Sequence, residues 1–239
     1  MIPKKIHYCW FGGSQKDKLV RRCIKSWHKF CQDFEIIEWN ESNYNLSDVP
    51  EYVSNAYHSK KWAFVSDYVR CDILEKLGGI YMDTDMEIVQ DITPLLSNEG
   101  FLGFEDAKFV NGAIMGFVPH HPFLNEMLKW YKTNTLTTPI PVIITKLLGD
   151  GQSLTEKEQE LKNIHIYPRV TFYPYSIYDI KNYKANDITK ETYGIHWWNY
   201  SWGNPLNRFF KKIGVHKIGI KIVEKIGVKK VIKKVLNFE

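Results

Sequence analysis

The stretch that most restricts what this chain can fold into is residues 62–89, WAFVSDYVRCDILEKLGGIYMDTDMEIV. Ala63, Val69, Ile73, Leu74 and Leu77 recur at helical spacing, and the Gly78-Gly79 pair that follows is a strong helix stop. Ile80-Tyr81-Met82 then reads as a short buried strand that ends in Asp83-Thr84-Asp85. Two carboxylates therefore stand at the carboxyl end of a strand. In an extended chain successive side chains alternate, so Asp83 and Asp85 point to one side and Thr84 to the other. Like charges held that close repel, and a divalent cation that both can approach relieves the repulsion. Mg²⁺ and Mn²⁺ suit oxygen ligands and usually bring substrate phosphates with them. The alternative is a pair of turn carboxylates capping an exposed strand end.

The preceding helix carries Ser66, Asp67 and Arg70 at spacings of three and four, which puts all three on one face of an otherwise apolar helix. Charges on a buried helix need partners. Either Asp67 and Arg70 pair with each other, or their face looks into a polar pocket beside the metal site.

Around this unit the chain alternates strands and helices. Residues 2–10 read as a first strand, followed by the turn Phe11-Gly12-Gly13-Ser14 and a helix over residues 15–30. A strand, a glycine turn and a helix in that order open nucleotide pockets at the carboxyl edge of α/β sheets. Residues 34–39 form a second strand and residues 50–60 a helix. Further strands are expected over residues 101–105 and 111–117, the glycines of the latter permitting close approach of a ligand. His120-His121 begins a helix reaching Thr133; adjacent histidines diverge, so both are assigned loop and cap roles. Residues 135–165 are polar and poorly periodic, and two short edge strands are expected at 164–168 and 170–174. The pattern predicts an α/β fold with a mainly parallel sheet flanked by helices.

The late run His196-Trp197-Trp198-Asn199-Tyr200-Ser201-Trp202-Gly203 is an unusually dense polar-aromatic cluster. Histidine is a suitable third ligand for a transition metal held by carboxylates, and manganese accepts that mixture. A structural histidine under tryptophans is the alternative.

Composition matters mostly through its unevenness. The chain has 239 residues and a net charge of +5, but residues 208–239 alone carry +8, leaving −3 on residues 1–207. Lys217, Lys221, Lys225, Lys229 and Lys233 recur every four residues opposite Ile218, Ile222, Ile226 and Val235. That is a basic amphipathic helix of the kind that lies in an anionic membrane interface, at about 1 kcal/mol per lysine near the surface. A helix packed on its own domain with a solvated lysine face is the alternative. No nucleic-acid-binding module accompanies the charge. The four cysteines form no C-x-x-C pair, the amino terminus lacks an apolar signal region, and no 18 consecutive residues are apolar. A cytoplasmic protein, peripheral on the inner face of the plasma membrane, is expected.

Several motifs together resemble one family. AFVSDYVRCDILEKLGGIYMDTD is similar to the signature of the D-x-D sugar-nucleotide transferases of glycosyltransferase family 32, and more distantly to the catalytic domains of the large glucosylating toxins. IPKKIHYCWFGG, FEIIEWN, NGAIMG and HWWNYSW occur in the family's order, so the resemblance covers residues 2–203. It implies a single domain of the type-A glycosyltransferase fold, taken here as residues 1–207, with 208–239 as an appended tail. It also implies a metal-dependent, retaining transfer from a nucleotide-sugar donor, with UDP favoured over GDP, to a saccharide acceptor. The basic tail makes that acceptor a lipid-linked intermediate of a bacterial capsular or other surface polymer. On this resemblance Ile6, His7, Tyr8 and Trp10 line the uridine pocket, Asp85 ligates the ion, and Asp83 reaches the ion or the ribose. Asp67 and Arg70 orient the donor sugar, with Ser66, Tyr81 and Asn111 beside them. His196 stands near the metal, and Ser201 and Trp202 near the β-phosphate. An enzyme rival is a magnesium phosphohydrolase of the haloacid dehalogenase type, but Glu87 stands where that pattern has Thr or Val, and Gly149-Asp150 lacks the second acid. A non-catalytic saccharide-binding protein at the membrane is the other rival.

Overall fold

The computed structural model describes residues 1–134, 138–150, 152–177, 179–185 and 188–199. Ser201, Trp202 and the basic tail 208–239 lie outside the described residues.

A seven-stranded sheet runs in the order β2-β1-β3-β6-β5-β8-β7. Its strands are β1 (Lys5–Cys9), β2 (Glu35–Trp39), β3 (Gly79–Met82), β5 (Gly100–Phe104), β6 (Val110–Phe117), β7 (Gln159–Leu161) and β8 (Ile164–Tyr167). β1 pairs in parallel with β2 and β3, and β5 with β8, while β6 and β7 run against their neighbours. Five strands thus share one direction, and their carboxyl ends share one edge with the start of β6. β4 (Met86–Ile88) and β9 (Gly194–His196) form a separate two-stranded antiparallel ribbon.

Helices cover both faces, which is why the sheet strands are apolar in runs rather than in alternation. On one face α1 (Lys18–Phe30) drives Trp27 into a core with Ile6, Ile80, Met82 and Phe101. On the other, α2 (Glu51–His58), α3 (Trp62–Leu77), α4 (Pro122–Thr133) and α5 (Ile140–Gly149) enclose Val65, Val69, Leu74, Tyr81, Phe123, Leu124 and Ile144. Within β3 the side chains alternate between these cores, Ile80 and Met82 toward α1 and Tyr81 toward α3. All four cysteines are free and buried, and among the described residues no helix is long and apolar enough to cross a membrane.

The central helix ends where the glycine pair predicts. Gly78 and Gly79 take φ of 60° and 105°, which side-chain-bearing residues rarely adopt, and they turn the chain from α3 directly into β3. α1 starts at Lys18 rather than residue 15 because the Asp17 carboxylate accepts the Val20 N–H at 2.9 Å, an N-cap that fixes the start. His121 caps α4 as expected.

Three expectations are corrected. Residues 140–149 form a helix against β6 that buries Ile140, Ile143, Ile144 and Leu148, a helical spacing inside the stretch read as poorly periodic. Residues 170–174 are not a strand: Arg169–Thr171 is a single 3₁₀ turn that delivers Phe172 and Tyr173 to the core. The D-x-D segment is not extended. The Met86 N–H donates to the Asp83 carbonyl at 2.9 Å, closing a turn over residues 83–86.

Candidate active site

The site is built at the carboxyl edge of β3. The Asp83 N–H donates to the Ala113 carbonyl at 2.7 Å, prolonging the β3–β6 pairing by one bond before the chain turns. The ribbon then brings in a residue more than a hundred positions away. Met86 faces His196 across β4 and β9, and the Trp197 N–H donates to the Asp85 carbonyl at 3.0 Å. His196 Nε2 consequently lies 3.2 Å from Asp85 Oδ1. One ligand atom from each of Asp83, Asp85 and His196 falls within 4.8 Å of the others. The turn thus achieves the convergence that an extended chain was expected to give, and it is joined by the late histidine.

The donor set suits a divalent ion. Two carboxylate oxygens and one imidazole nitrogen match the mixed preference of manganese. His196 Nδ1 is buried without a hydrogen-bond partner among the described residues, while the Asp85 carboxylate beside Nε2 favours the proton on that nitrogen in the metal-free site. Burial alone would lower the His196 pKa, but the charges of Asp85, Asp83 and Glu105 outweigh it and raise it. Burial, with the neighbouring Asp85 charge, raises the Asp83 carboxyl. The site therefore carries a concentration of negative charge that a cation relieves.

Behind it stands Arg70, buried to 3% exposure. Its Nη2 lies 2.8 Å from Asp67 Oδ1 and 3.1 Å from Asp83 Oδ1, its Nη1 donates to the Gly112 carbonyl at 2.7 Å, and its Nε donates to the Ser66 carbonyl at 3.2 Å. The internal ion pair forms, and the same buried guanidinium also reaches the D-x-D carboxylate. Asp67 is buried as well, and burial outweighs the attraction of Arg70 and pushes its carboxyl up to about 7. Tyr81 lies under the guanidinium, 4.3 Å from ring centre to Cζ, and donates its hydroxyl to Asp83 Oδ1 at 3.1 Å. At 1% exposure Tyr81 supports Asp83 from behind and offers no surface to a donor. The Ser66 hydroxyl is turned back onto the Trp62 carbonyl at 2.9 Å.

At the ends of β1 and β2 a second group of expected residues gathers. The Tyr8 hydroxyl donates to Glu38 Oε2 at 2.6 Å, and Lys16 Nζ reaches the same oxygen at 2.7 Å. Lys16 also sits 5.8 Å from the Tyr8 ring centre and 5.3 Å from that of Trp10. Tyr8 and Trp10 project to the same side of the strand, as alternation requires. Ile6 and His7 do not line this rim. Both are 0% exposed, and His7 accepts from Trp39 Nε1 at 3.1 Å while its Nε2 donates to the Gly78 carbonyl at 3.0 Å. Burial holds His7 down to about 4, so it is a neutral strut between β2 and the glycine turn.

Asn111 opens β6 at the same edge. Its Oδ1 accepts the Ala113 N–H at 2.8 Å, which leaves Nδ2 to donate to Glu105 Oε2 at 2.5 Å. Sequence reasoning missed Glu105, Glu38 and Lys16. The signal available for both acids was the one that marks Asp83, a carboxylate closing an apolar strand, but neither stands in the D-x-D spacing that Asp83 and Asp85 share.

Two family models cover most of the chain. The glycosyltransferase sugar-binding region containing DXD motif matches residues 17–102, and the alpha 1,4-glycosyltransferase conserved region matches residues 116–212. The human alpha-1,4-N-acetylglucosaminyltransferase is 30% identical over 61% of this chain and 46% of its own length. The lactosylceramide 4-alpha-galactosyltransferase of Mus musculus is 29% identical over 56% of this chain and 40% of its own. The chain spans less than half the length of these curated relatives. Among solved structures, the PaToxG glycosyltransferase superposes with a TM-score of 0.48 at 19% identity, over 62% of this chain and 69% of that one. With the D-x-D turn inside the first matched region and His196 inside the second, the chain belongs to the D-x-D glycosyltransferases that these two models describe.

Proposed function

We propose that the protein transfers a sugar, with retention of anomeric configuration, from a UDP-linked donor to a hydroxyl of a saccharide carried on a lipid, and that it needs a divalent ion to do so. The observation that carries this reading is the convergence of Asp83, Asp85 and His196 within 4.8 Å at the carboxyl edge of the sheet. An ion bound there acts as a Lewis acid on the diphosphate, whose negative charge grows as the glycosidic bond breaks. Mn²⁺ fits the carboxylate-and-imidazole set, with Mg²⁺ the alternative.

Each protein group has a definable part. Tyr8 and Trp10 offer an aromatic rim for the uracil, with Lys16 and Glu38 fixing its polar side. Asp85 and His196 supply ligand atoms, and Arg70 with Tyr81 holds Asp83 in position from behind. Asp67 and Asn111 flank the space beyond the diphosphate, where the donor sugar would lie. Ser201 and Trp202 are proposed to close over the β-phosphate. The lipid-borne acceptor draws support from the relative named for lactosylceramide and from the basic tail. A lipid-linked intermediate of a bacterial surface polymer is the narrower form of that proposal. Residues 208–239 would hold the catalytic part, residues 1–207, on the anionic cytoplasmic face of the plasma membrane.

Titration calorimetry with UDP and then GDP, with and without Mn²⁺, tests the donor site. Manganese-dependent binding of UDP by the wild type and its loss in Asp85→Ala are expected. Binding of neither nucleotide in the presence of the metal refutes the reading. The membrane proposal has its own test, co-sedimentation with phosphatidylserine vesicles: deletion of residues 208–239 is expected to release the protein, and unchanged binding overturns that part alone.

A further inference from the structure

The order of strands along the active edge sets out a ligand order that extends one step past the donor. The aromatic rim of Tyr8 and Trp10 stands at the end of β1 with Glu38 of β2 beside it, the D-x-D turn follows β3, and Asn111 lies at the start of β6. Neighbouring strands lie about 4.8 Å apart, so a nucleotide sugar laid along this edge has its base over β1, its diphosphate over β3 and its sugar over β6. The next strand is β5, and the residue that follows it at this edge is Glu105.

Glu105 is held in a particular way. Its N–H donates to the Phe109 carbonyl at 2.8 Å, closing the β5–β6 connection. Its Oε2 accepts from Asn111, whose amide cannot flip without losing the Ala113 N–H. No lysine, arginine or histidine pairs with Glu105 among the described residues, although the other acids at this edge, Glu38, Asp67, Asp83 and Asp85, each have a cation. It is half-buried, and it lies within electrostatic reach of His196. Burial pushes the Glu105 carboxyl up to about 7 against the lowering effect of the Asn111 hydrogen bond, and with that single neutral donor it keeps hydrogen-bond acceptor capacity for another ligand. Hydroxyl groups are donors that satisfy a carboxylate without placing a second charge beside the ion, and a charge-assisted bond to one is strong and directional.

We propose that Glu105 binds the acceptor: it accepts hydrogen bonds from hydroxyls of the receiving saccharide and so holds the attacking sugar against the donor. The assignment rests on the donor reading above. Glu105 forms no bond to the transferred sugar and takes no part in holding the nucleotide.

The test uses the full chain and Glu105→Gln, which keeps the shape of the side chain and can still accept from Asn111, with Glu105→Asp as a second variant that withdraws the carboxylate by one methylene. Protein loaded with Mn²⁺ and UDP is applied to an array of immobilised glycans. The wild type is expected to retain a defined set of glycans, and both variants to lose that retention by at least about tenfold, as for one charged hydrogen bond. Calorimetric affinity for UDP with Mn²⁺ should stay within about twofold. Slow hydrolysis of UDP-galactose, UDP-glucose or UDP-N-acetylglucosamine, where water replaces the acceptor, should be unchanged for whichever donor the wild type cleaves. Equal glycan retention by wild type and variants overturns the proposal, and so does a wild type that binds UDP but retains no glycan. A parallel loss of donor hydrolysis overturns it too, because Glu105 would then act on the donor. Failure of the donor reading shows differently, as a wild type that binds no nucleotide.

Discussion

Asp67 sits between two demands: Arg70 at 2.8 Å favours its charge, and near-complete burial opposes it. Burial wins, and the carboxyl is pushed up to about 7 against roughly 4 in an unfolded chain. The sign of the consequence follows from linkage. Between those values the unfolded chain has already lost the proton that the native one keeps. Stability from this group is therefore complete below about pH 4 and falls as pH rises toward 7, by at most about 1.4 kcal/mol per pH unit. Asp67→Asn cannot ionise. Its melting temperature should match that of the wild type within a few degrees at pH 5, and should fall less than the wild type's between pH 5 and pH 8. Parallel slopes in thermal melts at the two pH values would mean that Arg70 keeps Asp67 ionised throughout. Arg70 is the less replaceable partner, since it alone reaches Asp67, Asp83 and the Gly112 carbonyl. Arg70→Met strands two carboxylates and should cost about 3–5 kcal/mol in urea unfolding.

Between elements, the unit that matters is the join of α3 to β3, because it sets how far β3 runs before Asp83. A Cβ on Gly79 would lie 2.9 Å from both the Lys5 carbonyl and His7 Nε2, at a φ of 105°. Gly79→Ala combines backbone strain with a clash against β1 and should cost about 2–4 kcal/mol in urea unfolding; a change below about 0.5 kcal/mol would show that the turn can relax. This join was legible in the sequence because its determinants are local: helical spacing, a glycine pair and a short apolar run. Asp83 and Asp85 were legible for the same reason. What escaped depended on distant partners. α5 packs on β6, a partner that residues 140–149 do not announce, although the spacing of Ile140, Ile143, Ile144 and Leu148 is itself helical. Glu105 and Glu38 enter the site through sheet order, which no single segment encodes. His196 was legible as chemistry, but its place beside Asp85 comes from the β4–β9 ribbon, a pairing across more than a hundred residues. The D-x-D turn shows the reverse: the extended geometry was wrong, yet the carboxylates still converge, because the turn and the ribbon replace the alternation that was assumed.

For the whole molecule, the active edge is a region where folding gathers like charge and a ligand disperses it. Asp83 and Asp85 converge at the end of β3, and the net charge of residues 1–207 is −3, so no positive excess in that part offsets them. The unfolded chain separates these groups, so an ion and nucleotide that join them bind the native state alone and stabilise it by mass action. With ligand at about 100 times its dissociation constant the gain is about 2.7 kcal/mol, which for a domain of this size raises the melting temperature by about 5–10 °C. UDP with Mn²⁺ should produce that shift in a thermal melt, EDTA should reverse it, and Asp85→Ala should not show it. The dependence on the ion decides between two ways of holding a diphosphate. An equal shift from UDP in EDTA would place the phosphates on lysine and arginine side chains, and the convergence of Asp83, Asp85 and His196 would then be structural. A shift that appears only with both components means that nucleotide and ion enter as one unit, and that the acids at the end of β3 are kept, despite their mutual repulsion in the free protein, for the charge they neutralise when the donor arrives.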